Sequence, residues 1–343
     1  MREIKIVITG FGTVGYRTAK LLLERAERYR SLYQTNVRLI AVCGSTSGLY
    51  DPDGLNWDRL QPLTKQAGGV SGDPAAASQF TGASFVAAAG ADVLIEAGPT
   101  NLQDGGAAAR YMRAALQGGM HVIALSKGAL VTDYPGLSRL AAEHGGVLKI
   151  SGATAAALPT IDLLQYNLAG CRVHELTGIF TGTANYILSR MVGEGAELGE
   201  AVSDAQRKGI AEPDPRYDID GWDTACKLTI LANAGFQANI RLSQVERSGI
   251  GQITPEQIKQ WRESGVVPKL TGRLRFADDK VQAEVGLSLY PLDHPLARVN
   301  GTKKAILVKT EEMGELFVAG GKSDPGAAAA AALKDLEHLL QRR

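Results

Sequence analysis

The chain has 343 residues, enough for two domains with sizeable cores. Its 37 basic and 36 acidic residues nearly cancel, which argues against a nucleic-acid or membrane-surface partner. Three cysteines without CxxC spacing give no basis for a disulfide framework or a structural zinc site, and no apolar run reaches spanning length. With no signal-like segment before the first strand, a cytoplasmic protein is expected. Abundant glycine and alanine with few aromatics suit an α/β enzyme in which helices pack closely on sheets.

Ile4–Thr9 (IKIVIT) is a short apolar run, the pattern of a buried parallel strand. It runs directly into Gly10-Phe11-Gly12-Thr13-Val14-Gly15, and an apolar helical pattern follows. A GxGxxG between a first strand and a helix is the dinucleotide fingerprint: Gly10 for the turn, Gly12 for backbone approach to a pyrophosphate, Gly15 for helix–strand contact. Phosphates then sit at the helix N-terminus. Val37–Val42 is the second strand, followed by Cys43-Gly44-Ser45-Thr46-Ser47. No acid waits there for an adenosine ribose, so NADP is allowed beside NAD. Leu49–Leu60 reads as a turn and a short helix, and 68–82 as a surface loop. Ala91–Glu96 is a further strand opening into Ala97-Gly98-Pro99, at the end where open α/β sheets bind ligands. A helix at 107–116, a strand at 121–125 delivering Ser126-Lys127-Gly128, a helix at 137–144 and a strand at 147–150 complete the half. An exposed loop lysine is the simpler reading of Lys127; a lysine facing cofactor and substrate is the functional one.

The second half changes character. Ser151–Pro159 is small and turn-like, a hinge. A helix is expected at 160–168 and a strand at 173–180, after which the Thr181-Gly182-Thr183 hydroxyls are placed to cap a helix at 184–191. A helix at 253–262, strands at 270–276, 281–289 and 305–310, and an alanine-rich helix at 325–340 follow. The strands suggest a mixed sheet able to serve as a subunit interface, and the last helix is expected to return to the nucleotide domain.

Between these lies Ala205–Asn233, AQRKGIAEPDPRYDIDGWDTACKLTILAN. Its two prolines disfavour a helix before about Asp218, and Gly221 marks a turn. Trp222 onward reads as a helix with Trp222, Ala225, Cys226, Leu228 and Ile230 buried. Asp223 and Lys227 then share one face, one turn apart, and Glu212 stands in a loop able to bend over them. A solvated i,i+4 pair is the bland reading; an ammonium tuned by carboxylates as a proton donor is the functional one. An EF-hand is excluded, because Arg216 and Lys227 fall at its first and last ligand positions.

The pattern resembles homoserine dehydrogenase in its short form, without a regulatory ACT domain. The resemblance runs over nearly the whole chain. It is carried by GFGTVG at Gly10–Gly15, SKGAL at Ser126–Leu130, GIFTGTANYIL at Gly178–Leu188 and KGIAEPDPRYDIDGWDTACKL at Lys208–Leu228. It implies a doubly wound parallel Rossmann domain, 1–150 completed by 310–343, and an α+β substrate and dimerisation domain, 151–309, with a mixed sheet. It implies NAD or NADP as cofactor, a homodimer, and reversible hydride transfer between L-homoserine and L-aspartate 4-semialdehyde in threonine, methionine and isoleucine biosynthesis.

By the same resemblance Lys227 is the catalytic acid/base, Lys127 assists the proton path, and Glu212, Asp223 and Thr183 bind the amino-acid substrate. Gly10, Phe11, Gly12, Thr13, Val14, Gly15, Gly98, Pro99, Ser126, Lys127 and Gly321 contact the dinucleotide. Ser151, Thr154, Ala156 and Leu158 match positions that bind a structural Na+ or K+. The chain departs from the family at several of these: Ser126 stands for asparagine, Gly98 for threonine, Ser151 for glutamate, Thr181 for asparagine, and Gly320-Gly321-Lys322-Ser323 for GxGAG. The departures keep two alternatives open: a paralogous dehydrogenase of another hydroxy amino acid or aldehyde, and a non-enzymatic dinucleotide-binding sensor.

Overall fold

The computed structural model describes residues 1–64, 69–277 and 280–341, so Gly68, the first residue of the expected 68–82 loop, lies outside the described residues. The chain divides into two compact units, Met1–Ala156 with Asp324–Arg343, and Ala157–Ser323. No helix is long and apolar enough to cross a membrane among the described residues.

The first unit is built on six strands: β1 (Arg2–Thr9), β2 (Thr35–Cys43), β3 (Gly48–Tyr50), β4 (Val93–Glu96), β5 (His121–Ala124) and β6 (Leu148–Lys149). Their order is β3-β2-β1-β4-β5-β6, parallel throughout except for the antiparallel edge strand β3. This is a doubly wound Rossmann-like sheet. The chain leaves β1 to one side for β2 and later returns to its other side for β4, so the carboxyl ends of β1 and β4 flank the switch point where such sheets bind ligands. Strand interiors are apolar on both faces: Ile6, Val7, Ile8, Leu39, Ile40, Leu94 and Ile95 are at most 1% exposed.

The helix Pro325–Leu340 does return to this unit. It packs on the helix Thr13–Glu24, adding Ala332, Leu333, Leu336 and Leu339 to the core of Ile6, Ile8, Leu22 and Leu39. The return comes later than position 310, however, because Gly314–Gly320 is a strand of the other unit's sheet. The helix expected at 137–144 begins at Gly128 and runs to Glu143, broken at Asp133 (φ −156°, ψ 51°). Pro135 has no N–H to give, and the Asp133 carboxylate instead accepts from the Gly136 amide to restart the helix. The segment expected as a hinge opens with one helical turn, Ser151–Thr154.

The second unit carries β7 (Val173–Ile179), β8 (Glu246–Arg247), β9 (Val266–Ala277), β10 (Lys280–Pro291), β11 (Lys304–Thr310) and β12 (Gly314–Gly320). The order is β12-β11-β7-β9-β10-β8, antiparallel except where β8 runs parallel to β10. The helices Gly182–Glu194 and Trp222–Phe236 lie against β9. The segment 160–168 is not one regular helix: Thr160–Asp162 is an α-turn that widens into a π-turn at Leu163–Asn167.

Candidate functional site

In the first unit the glycine loop has the shape its sequence requires. Gly10 has φ +81°, and a Cβ there would lie 2.3 Å from the Gly98 amide nitrogen, so the loops after β1 and β4 touch through bare backbone. A Cβ on Gly15 would meet the Gly10 carbonyl at 2.2 Å, which is the close helix–strand approach expected of the third glycine. At Gly12 nothing lies within 4 Å of that position. Gly12 and Thr13 are exposed at the start of the helix Thr13–Glu24, leaving a bare, open cradle at a helix N-terminus. These features fit a dinucleotide. Phe11 is 6% exposed, and its ring packs edge-on against Tyr16.

β2 ends at Cys43, whose carbonyl accepts from the Gly10 and Phe11 amides. Ser45 and Thr46 beyond it are exposed. No carboxylate stands in this turn, so a 2′-phosphate meets no like charge. The loops after β4 and β5 also meet, since a Cβ on Gly128 would lie 2.3 Å from the Asn101 carbonyl. Pro99 is exposed, Ser126 is buried, and Lys127 is half-buried at the N-terminal end of the helix Gly128–Glu143.

In the second unit one lysine is set in a polar niche. Gly221 (φ +81°) turns the chain into the helix Trp222–Phe236, with Asp223 in its first turn, where the helix dipole favours a carboxylate. Asp223 is 6% exposed; its Oδ2 accepts from Lys227 Nζ at 2.5 Å and from Thr181 Oγ1 at 2.9 Å. Lys227 Nζ also donates to the Phe180 carbonyl at 2.8 Å. An ammonium has three N–H donors. Two are fixed by Asp223 and Phe180, and the third meets no hydrogen-bond acceptor among the described residues. The side chains are only 12% and 9% exposed, so this pair is not the solvated surface pair of the bland reading.

Local sequence explains the niche. Gly178 of β7 pairs in register with Gly272 of β9. A Cβ at Gly178 would strike the Phe180 ring at 2.2 Å, and one at Gly272 would approach Thr224 at 3.0 Å and Leu228 at 3.4 Å. Two facing glycines therefore let the Phe180 ring and the Lys227 helix settle directly on the sheet.

Other expected groups are placed differently. Thr181 caps nothing with its hydroxyl; the side chain turns to Asp223 and Thr224 instead. Thr183 is buried and donates to the Ile210 carbonyl, tying the helix start to the acidic loop. Glu212 is exposed, and its carboxylate has no hydrogen-bond or ion-pair partner among the described residues; only its backbone carbonyl is used, by Gln206. Trp222 is 38% exposed rather than buried, and Arg247 stacks over its ring at 3.8 Å. Gly321 (φ +79°) lies against Ala157, within the second unit.

Among the positions matching a Na+ or K+ site, the Ser151 side chain is already engaged within the first unit. Ser151 Oγ donates to Asp335 Oδ1 at 2.7 Å and accepts from Lys334 Nζ at 2.6 Å, so an ammonium already stands there. The Ser151 carbonyl accepts from Thr154 Oγ1 and the Ala156 amide, and the Leu158 carbonyl from the Thr160 amide. Ala156 holds a left-handed φ of 53°.

Two groups escaped the sequence reading. Glu96 is a buried carboxyl at the end of β4, and Lys269 is a buried lysine bonded to Asn185, Val299 and Asn300. Glu96 was readable as a strand residue, but its partners are set by tertiary contact.

The chain is similar to known proteins. A family model described as homoserine dehydrogenase matches residues 159–336, and one described as homoserine dehydrogenase, NAD binding domain, matches 10–150. A homoserine dehydrogenase of Methanocaldococcus jannaschii is 32% identical over 97% of this chain and 98% of its own length. An NAD(+)-dependent homoserine dehydrogenase of Pseudomonas canavaninivorans is 31% identical over 99% and 97%. The crystal structure of a homoserine dehydrogenase from Thiobacillus denitrificans superposes with a TM-score of 0.84 at 28% identity, over 99% of this chain and 74% of that one.

Proposed function

Because this chain belongs to the homoserine dehydrogenase family, we propose that it transfers hydride reversibly between NAD(P) and the L-homoserine/L-aspartate 4-semialdehyde pair, with Lys227 as the acid–base group. The observation that carries this reading is a buried lysine ammonium fixed through two of its donors by Asp223 and the Phe180 carbonyl, its third donor unspent among the described residues. Bound NAD(P) supplies or accepts the hydride. The chain's own residues handle charge and protons. As the aldehyde carbon is reduced its oxygen becomes an alkoxide, which the Lys227 ammonium stabilises and then protonates; in the other direction the amine takes the hydroxyl proton. Asp223 holds that ammonium in place and offers its carboxylate to the substrate's amino group, with charge-assisted bonds.

Glu212 joins it in binding the amino acid; its exposed, unpaired carboxylate is available to a cation. Thr183 keeps the acidic loop at the helix start. Gly10–Gly15, Gly98, Pro99 and Ser126 hold the dinucleotide, Lys127 assists the proton path, and Gly321 completes the cofactor contacts. Met1–Ala156 with the last helix acts as the dinucleotide domain and Ala157–Ser323 as the substrate domain. The working form is a cytoplasmic homodimer joined through the second sheet. Alternating charges along that sheet, Glu175 with Arg273, Arg275 and Lys309, and Arg273 with Glu284, support the last point, since such a ladder can complement its own copy.

The test is nicotinamide reduction, followed at the reduced-cofactor absorbance, with L-homoserine and each of NAD and NADP. Turnover far above that with serine or threonine is expected. Lys227→Ala should lower kcat by about 10²–10⁴-fold with dinucleotide affinity unchanged. Turnover surviving that substitution would remove Lys227 from the chemistry.

A further inference from the structure

The Glu96 side chain is 1% exposed at the carboxyl end of β4, beside the switch point of the first sheet. Its Oε1 accepts from the Gly98 amide at 2.7 Å, and its Oε2 from the Ser126 hydroxyl at 2.5 Å. The Ser126 amide adds a further donor. One carboxyl thus binds the second residue of each of two loops, those after β4 and β5. The backbone between them is also bonded, Leu125 N–H to the Glu96 carbonyl.

The fit is close. A Cβ on Gly98 would lie 2.6 Å from Glu96 Oε1, so no larger residue can stand at 98 while the carboxyl keeps this position. Gly98 in turn presses on Gly10, the first glycine of the phosphate loop. Ser126 is followed by Lys127, which opens the helix Gly128–Glu143. Glycine at 98 and serine at 126, two departures with no reason visible in the sequence, are therefore parts of one arrangement with Glu96 at its centre. Burial raises the carboxyl's pKa and the donors oppose that rise, so the group is kept at a cost that a purely apolar residue would avoid.

We propose that Glu96 is the positioning residue of the dinucleotide site: its carboxyl locks the 97–99 and 126–127 loops to each other and to the Gly10 turn, and so sets the floor on which the dinucleotide rests and the backbone from which Lys127 projects. This rests on the dinucleotide reading of the first unit and not on the identity of the substrate.

Two variants test it. Glu96→Gln keeps the shape and one acceptor; Glu96→Leu removes both acceptors. The dissociation constants of oxidised and reduced dinucleotide are measured by titration without substrate, alongside the melting temperature of the free chain and the KM for L-homoserine. Affinity should fall in the order Glu, Gln, Leu, with Glu96→Leu weaker by about tenfold or more, as expected when a bond to a charged acceptor is lost. The Glu96→Gln melting temperature and the homoserine KM should stay near wild type. Unchanged dinucleotide affinity in both variants overturns the proposal. So does an affinity loss that tracks homoserine KM and melting temperature together, because that is general damage to the fold. Absence of homoserine turnover with this affinity order intact would count against the substrate reading alone.

Discussion

Gly10 and Gly12 stand two residues apart and do different physical work. Gly10 needs a left-handed backbone and has the Gly98 backbone where a Cβ would go, whereas Gly12 has an ordinary φ of −87° and open space. Gly10→Ala should therefore destabilise the chain by about 1–3 kcal/mol, read by urea unfolding. Gly12→Ala should leave stability unchanged and weaken dinucleotide binding, because its methyl occupies ligand space. Equal stability losses in the two variants would contradict this assignment.

Thr181 makes a similar point in the other unit. Thr181→Val strips a donor from the buried Asp223 carboxylate, and should lower kcat/KM about tenfold while Thr181→Ser restores it. Lys269 sets a pH dependence. Burial pushes its ammonium down to about 8, below the value near 10.4 of an unfolded lysine. Between those values the folded chain has released the proton and the unfolded chain still binds it, so stability should rise with pH across that window, by at most about 1.4 kcal/mol per pH unit. Unfolding free energies of wild type and Lys269→Met between pH 7.5 and 10 should diverge in this sense; parallel curves would show that Lys269 keeps its proton.

At the level of elements, the approach of the helix Trp222–Phe236 to the second sheet depends on the facing pair Gly178 and Gly272. Gly272→Val inserts a branched side chain against Thr224 and Leu228, and should cost about 1–3 kcal/mol by overpacking. Lifting the helix also draws Lys227 away from the Phe180 carbonyl, so turnover should fall further than dinucleotide affinity, which belongs to the other unit. The longer strands, the phosphate loop and the Asp223/Lys227 helix were legible in the sequence because period, glycine spacing and i,i+4 geometry are local, whereas the strands Gly48–Tyr50, Glu246–Arg247 and Gly314–Gly320 were not read. Trp222 was not: the apolar pattern placed it inside, and Arg247, distant in sequence, covers it from outside. Neither the Ser151 hydroxyl bonds to Lys334 and Asp335 nor the Thr181 bond to Asp223 could be read, since each joins elements that only the fold brings together. The pattern at 137–144 showed only the part of the helix Gly128–Glu143 that follows the break at Asp133.

For the whole molecule, a dinucleotide that binds the folded chain alone adds about 2.7 kcal/mol of stability at a hundredfold excess over its dissociation constant. NAD or NADP, whichever binds more tightly, should therefore raise the melting temperature more at equal concentration. Scanning calorimetry with each cofactor ranks them without any substrate, and equal shifts would mean dual use. The division into units has a further outcome during synthesis. The first unit starts the chain but is finished only by Asp324–Arg343, after all of Ala157–Ser323 has been made. At about 5–20 residues per second a ribosome needs roughly 10–30 s to cover that interval. Throughout it, the β-sheet that will hold the cofactor lacks Leu333, Leu336 and Leu339 and shows bare hydrocarbon on the nascent chain. The portion translated first thus matures last, its apolar face uncovered until the helix Pro325–Leu340 docks.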